Sequence, residues 1–200
     1  AKSLDYLDLL VKDLLTISQM ETGEIKMKME AFDIVQLIEE TVEQIEPVAL
    51  SKKINVSVVK KDWKSVIVLA DYYRIFQVLK NLLSNAIKYS EDNSTIEIQI
   101  EKRKKVVNLS VIDSGIGIPK NDRKRIFERF YRIDKSRSKK KGLGLAIVKH
   151  IIEGHKTKIK LKSKINDGSR FSFNLKLAPN KKRKRKSLRK ILKKQEVASL

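Results

Sequence analysis

Two strand-like runs joined by a short charged link constrain this chain most. Thr95 to Glu101 alternates, with Ile96, Ile98 and Ile100 on one side. Val106 to Ile112 is more continuously apolar, and only Lys102–Lys105 separates the two. Alternation marks a strand with one buried face, and the short link folds the pair into a hairpin. Strands and helices then follow in blocks, not in strict strand–helix alternation. That order predicts an α/β fold: a two-layer α/β sandwich, with one mixed, largely antiparallel sheet and helices on one face.

The remaining elements fit that plan. Strands are expected at Lys26–Glu30, Ile54–Val59, Val66–Ala70, Thr157–Ser163 and Ser169–Leu177, the last two around Asn166-Asp167-Gly168-Ser169. Asp33 caps a helix over 34–46, which Pro47 starts, kinks or breaks. Asp71 caps another through Tyr89, and a third covers Gly142 to Glu153, ended by Gly154. At the start, Leu4, Leu7, Val11, Leu14 and Ser18 make a heptad seam. Two heptads need a partner, so the seam is either an amphipathic helix packed on the domain or a truncated dimer stalk.

The 200 residues are 41% hydrophobic, enough for a sizeable core. There is no Cys, which excludes a disulfide scaffold, a Cys zinc site and a cysteine nucleophile. Two His exclude a poly-His metal site. No run approaches the ~18 apolar residues of a membrane span, and neither Met nor a signal peptide opens the chain. It reads as a cytoplasmic piece of something longer. The net charge is +21. Residues 181–200 hold ten Lys or Arg against one Glu, a net +9. Such a run is a solvated tail, a basic amphipathic helix or a polyanion contact. It lacks interleaved aromatics, which weakens a single-strand-binding reading, while the overall charge keeps a basic nucleic-acid-binding protein as a rival whose binding would fall steeply with salt.

Three segments carry chemistry. In Asn81-Leu82-Leu83-Ser84-Asn85-Ala86-Ile87-Lys88-Tyr89, Asn81, Asn85 and Lys88 share one helix face. Amide oxygen is a hard ligand for Mg²⁺ and Lys a point charge for phosphate, although such a face is more often merely solvated. Asp113-Ser114-Gly115-Ile116-Gly117-Ile118-Pro119 ends an apolar strand. Its glycines let backbone approach a ligand, and its carboxylate selects for an amine donor. Gly142-Leu143-Gly144-Leu145 opens a helix, whose first N–H groups suit an anion. The basic stretch Arg132 to Lys141 before it reads as a lid.

The order of these segments, with Ile126-Phe127-Glu128-Arg129-Phe130-Tyr131-Arg132 between the last two, resembles the catalytic ATP-binding domain of sensor histidine kinases. That domain belongs to the gyrase/chaperone/kinase/MutL ATPase superfamily with the Bergerat fold. The resemblance spans about Glu30 to Ala178. It implies residues 1–24 as the end of a dimerisation hairpin, 25–178 as the ATP-binding domain and 179–200 as a basic tail. It implies that Asn85 coordinates Mg²⁺, that Asn81 matches the first Asn of that box, and that Lys88 contacts phosphate. Tyr89 packs on adenine and Asp113 reads its amino group, with Gly115, Gly117 and Ile118 in the pocket wall. Phe127 and Phe130 position the lid, Tyr131 and Arg132 touch nucleotide from it, and Gly142, Leu143, Gly144 and Leu145 meet the phosphates. The catalytic set is Asn81, Lys88 and Arg132.

ATPase relatives carry Glu where Asn81 stands. Asn cannot act as a base, which suits a site that saves the γ-phosphoryl for an imidazole. The acceptor His is not in this chain: neither His150 nor His155 has the family's His-(Glu/Asp)-x-x-x-Pro pattern. The implied cofactors are ATP and Mg²⁺. The implied partners are the parent's phosphoacceptor hairpin, as a homodimer, and a response regulator. The implied location is the cytoplasmic side of a bacterial inner-membrane protein, with membrane contact only through an N-terminal part not in this chain. Lys139-Lys140-Lys141 replaces the family's Gly-Gly-Thr, so the rival reading is a nucleotide-binding regulatory module without kinase activity.

Overall fold

The computed structural model describes residues 26–60, 64–133 and 142–179, together with Val11, Leu15, Ser18 and Gln19 on a helical stretch. The rest of the heptad seam, Lys139–Lys141 and the basic tail lie outside the described residues. Seven strands form one sheet: β1 (Glu30–Asp33), β2 (Asn55–Lys60), β3 (Ile67–Ala70), β4 (Thr95–Lys102), β5 (Val106–Asp113), β6 (Lys160–Ser163) and β7 (Ser169–Leu177). Among the described residues, three helices accompany them: α1 (Ile34–Leu50), α2 (Tyr72–Tyr89) and α3 (Gly144–Gly154), besides the helical stretch that holds Val11 and Gln19. The order is β1-β3-β7-β5-β4-β2, with β6 beside the start of β7. Only β2 and β4 run parallel, so the sheet is mixed.

The hairpin forms as its alternation requires. Ile96, Ile98 and Ile100 are buried, with Ile98 opposite Val111 and Ile100 opposite Leu109. Leu79, Leu82, Leu83 and Ala86 of α2 and Ile147, Val148, Ile151 and Ile152 of α3 close the same core. The opposite sheet face is polar: Asn108 donates to Asn174 Oδ1 at 2.9 Å, and Arg170 reaches Ser110 Oγ at 3.5 Å.

Four boundaries differ from the sequence expectation. β1 lies at Glu30–Asp33, not 26–30, because its ladder is set by β3, with Phe32 opposite Val68. Residues 26–29 are held instead by Lys28 N–H on Asp71 Oδ2, 2.9 Å. α1 continues through Pro47 to Leu50. Pro47 sits on the exposed side, so the carbonyl it leaves unpaired faces water, while Ile45 and Ala49 stay buried. α3 starts at Gly144 because Gly142 is left-handed, φ +66°. β6 is only four residues long, starting at Lys160 and not Thr157.

Asp71 ties three elements together. It caps α2 through Oδ1 to Arg74 N, 3.1 Å, and its own N–H donates to His155 Nε2, 2.9 Å. Nε2 is therefore the acceptor, so Nδ1 carries the proton and donates to Ile151 O, 2.8 Å. Both nitrogens of this buried ring are occupied, and His155 is a clamp between α3 and α2. The His155→Leu variant leaves a buried N–H unpaired. It is expected to lose about 2 kcal/mol and about 6 °C in Tm, read by thermal denaturation.

Candidate functional site

The site is organised along α2. This helix is capped by Asp71, has no glycine, and carries its apolar stripe toward the sheet. Asn81, Asn85 and Lys88 are left half-buried on its other side. Among the described residues, neither Asn carboxamide has a hydrogen-bond partner. From Asn81 to Tyr89 the helix rises about 12 Å, and a glycine segment abuts each end of that stretch, the middle and the C-terminus of α2.

At the first end, a Cβ on Gly144 would lie 3.4 Å from Asn81 Oδ1. The start of α3 thus rests on the Asn81 side chain. Leu143 precedes it, buried, and no side chain caps α3. The first N–H groups of α3, which have no intrahelical acceptor, therefore sit beside the Asn81 amide. Gly142 does not join the helix. Its carbonyl accepts Phe130 N–H at 3.1 Å, so the chain leaves at Phe130 and returns at Gly142 at one point. Phe130 is exposed with φ +61°, whereas Phe127 packs edge-on against Phe171 at 6.3 Å.

At the other end, Ile116 N–H donates to Tyr89 O at 3.3 Å, and a Cβ on Gly115 would lie 2.4 Å from that oxygen. Only glycine lets the loop pass this close to α2. Asp113 is 9% exposed. Its carboxylate accepts Gly115 N–H at 3.0 Å and the Ser169 N–H. Burial pushes its pKa above the ordinary carboxylate value, and those two N–H groups only partly oppose that. An acceptor poised this way beside backbone suits an exocyclic amine.

The remaining predicted residues turn to other partners. Gly117 (φ +69°) crosses the β6–β7 turn, where a Cβ would lie 1.9 Å from Lys164 O. Ile118 N–H donates to Ser163 Oγ at 2.8 Å. Lys88 Nζ rests on its neighbour, 2.9 Å from Tyr89 Oη. Tyr131 Oη donates to Asp122 at 2.6 Å, which raises its pKa, and Arg125 stacks on its ring at 4.3 Å. Arg132 follows beside it. Leu145 packs against the core.

Sequence reasoning missed two supports. Lys52 Nζ donates to Ile87 O, Lys88 O and Ser90 O at 3.0, 3.4 and 3.1 Å, capping the C-terminus of α2. Nothing local marks this one lysine among so many. Ser163 Oγ binds Ile118 N–H, donates to Gly168 O at 2.8 Å and lies 3.0 Å from Ser169 Oγ. The turn around Gly168 was the available signal for it.

An Asn-bearing stretch of helix thus lies between two glycine segments, with a buried carboxylate beside one and a helix start, which suits an anion, at the other. The chain belongs to the family of histidine kinase-, DNA gyrase B-, and HSP90-like ATPases, which matches residues 70–179. The sensor-like histidine kinase SenX3 of Mycolicibacterium smegmatis is 34% identical over 169 residues, 83% of this chain and 44% of its own length. Sensor histidine kinase WalK of Bacillus subtilis is 34% identical over 172 residues, 83% of this chain and 28% of its own. The chain thus spans less than half of these curated relatives. The Acinetobacter baumannii histidine kinase AdeS superposes with a TM-score of 0.74 at 29% identity, covering 89% of this chain and 82% of that one. Full-length ShkA, solved in complex with AMPPNP, gives 0.80 at 28% identity over 90% of this chain and 38% of that one. Among the described residues, no helix is long and apolar enough to cross a membrane.

Proposed function

We propose that this chain is the ATP-binding catalytic part of a two-component sensor histidine kinase, which binds Mg·ATP and passes the γ-phosphoryl to a histidine outside these residues. One observation carries the reading: about 12 Å of α2 separates a buried amine-selecting carboxylate, Asp113, from the Asn81–Gly144 junction. Adenine fits the Asp113 end and phosphates the Asn81–Gly144 end. Asn81 has no basic group, so water at that end is not activated. Lys88 supplies positive charge, and Arg132 approaches from the lid side. Asn85 lies between the two, about 6 Å along the helix from each, and offers an amide oxygen. Among the described residues, no cluster of three acidic or His ligands competes for a cation. Mg²⁺ held there would neutralise phosphate charge during transfer.

The same reading assigns residues 1–24 to the end of the phosphoacceptor hairpin, 25–178 to the ATP domain and 179–200 to a basic tail. It makes the parent a homodimer anchored in the bacterial inner membrane, with this part in the cytoplasm and a response regulator as the next acceptor. The relatives are named sensor histidine kinases, which supports the kinase part of this reading.

Calorimetry with ATP, with and without Mg²⁺, tests the site. The Asn85→Ala variant is expected to weaken Mg·ATP binding about tenfold to a hundredfold and to leave Mg-free binding unchanged. Equal losses in both conditions would remove Asn85 as the cation ligand. No binding at millimolar nucleotide would overturn the site itself. Adding a separate phosphoacceptor hairpin to the chain with Mg·ATP then tests transfer, and nucleotide binding without phosphohistidine would leave only a regulatory module.

A further inference from the structure

Residues 156–164 read Lys-Thr-Lys-Ile-Lys-Leu-Lys-Ser-Lys. Every lysine in this row is exposed and every residue between them is half-buried. Ile159 and Leu161 pack on the core. The lysines at 160 and 162 therefore stand on the polar sheet face, away from the helices. Lys162 lies directly opposite Arg170, and Lys160 opposite Ser172. Like charges facing across strands are destabilising. Lys164 has Asp167 at 3.7 Å. Among the described residues, Lys156, Lys158, Lys160 and Lys162 have no ion-pair partner. β6 pairs with β7 alone, so its other edge is open among the described residues.

An edge lined with lysine repels a second copy of itself. It favours a strand whose acids fall at alternate positions, opposite the lysines on the same face. We propose that β6 is a docking edge for an acidic extended segment of a partner polypeptide, which adds as a strand to Lys160–Ser163 and sets its carboxylates beside Lys158, Lys160 and Lys162. Main-chain pairing supplies the binding mode and the charge row its specificity. A lipid surface or a nucleic acid would use the charges without the edge.

The test uses the full 200-residue chain, isotope-labelled, and the blocked peptide Val-Glu-Val-Glu-Val-Glu-Val. Amide shifts confined to residues 158–163 are expected. Binding should weaken about tenfold in the Lys160→Gln/Lys162→Gln variant, while its Mg·ATP affinity stays that of the parent chain. A peptide of equal charge with Pro in place of the inner Val residues should not bind. Equal binding of the Pro peptide, shifts mapping to residues 180–200, or displacement at equal concentration by duplex DNA or phosphatidylglycerol vesicles would each overturn the proposal. None of these readouts depends on the ATP site, so either reading can fail alone.

Discussion

The Asp113→Asn variant is expected to bind ATP about a hundredfold more weakly and yet to melt no lower than the parent chain. The two effects separate because the carboxylate does two different things. In the proposed site it is the buried acceptor for the ligand, at the end of β5. Asn presents a donor as readily as an acceptor, and a donor facing an exocyclic amine leaves both unpaired. For the fold the charge is a burden. Burial raises the pKa of Asp113 in the folded chain, so the charged form is less favoured there than in the unfolded chain. The cost is full above the raised value and shrinks as pH falls through it toward the ordinary carboxylate range. Asn removes that cost and keeps an oxygen for the Gly115 and Ser169 N–H groups. The melting advantage of the variant should therefore be largest near about pH 7 and vanish near about pH 4. Calorimetry and thermal melts at both values decide it. A variant melting well below the parent at neutral pH would make the carboxylate a structural group and not a reader of adenine.

The second large effect is at Gly168. This residue has φ +82°, and a Cβ on it would lie 1.9 Å from Asp113 O and 2.8 Å from Ser114 Cα. Both obstacles are backbone, so no side chain can swing aside. Gly168→Ala combines left-handed strain with a clash against the strand that carries the site. A loss of about 3 kcal/mol and about 10 °C in Tm is expected. ATP affinity should fall as well, because the β6–β7 turn holds the loop at Gly117 and Ile118. Ala at the exposed neighbour Asn166 is the informative contrast. Its φ of +59° costs some strain but meets no backbone obstacle at Asp113. Equal melting of Gly168→Ala and the parent would mean that the turn does not brace the strand.

Much of this molecule is legible in the sequence because its signals are local. Alternating Ile96, Ile98 and Ile100 fix a hairpin register, and Asp33 and Asp71 sit at helix starts as their short acceptor side chains require. The glycine segments mark close backbone approaches whose partners, Tyr89 O and the Asn81 side chain, lie on α2. What was not legible is long-range. The Asp71–His155 bond spans 84 residues, and Lys52 reaches 35 to 38 residues ahead. Neither has a periodicity or a spacing that announces it. The extension of α1 past Pro47 depended on which side of the helix faced water, which only packing decides.

Lys52 has a consequence for its neighbour. The last turn of a helix leaves carbonyls unmet and a negative dipole end. A lysine in that turn would ordinarily curl back over those oxygens, which would draw Lys88 inward. Lys52, arriving from the β2 side, has already taken Ile87 O, Lys88 O and Ser90 O. The ammonium of Lys88 is thereby released from its own helix and held outward along Tyr89, 4.5 Å above the ring. One half-buried cation quiets the helix end so that the other can meet an anion.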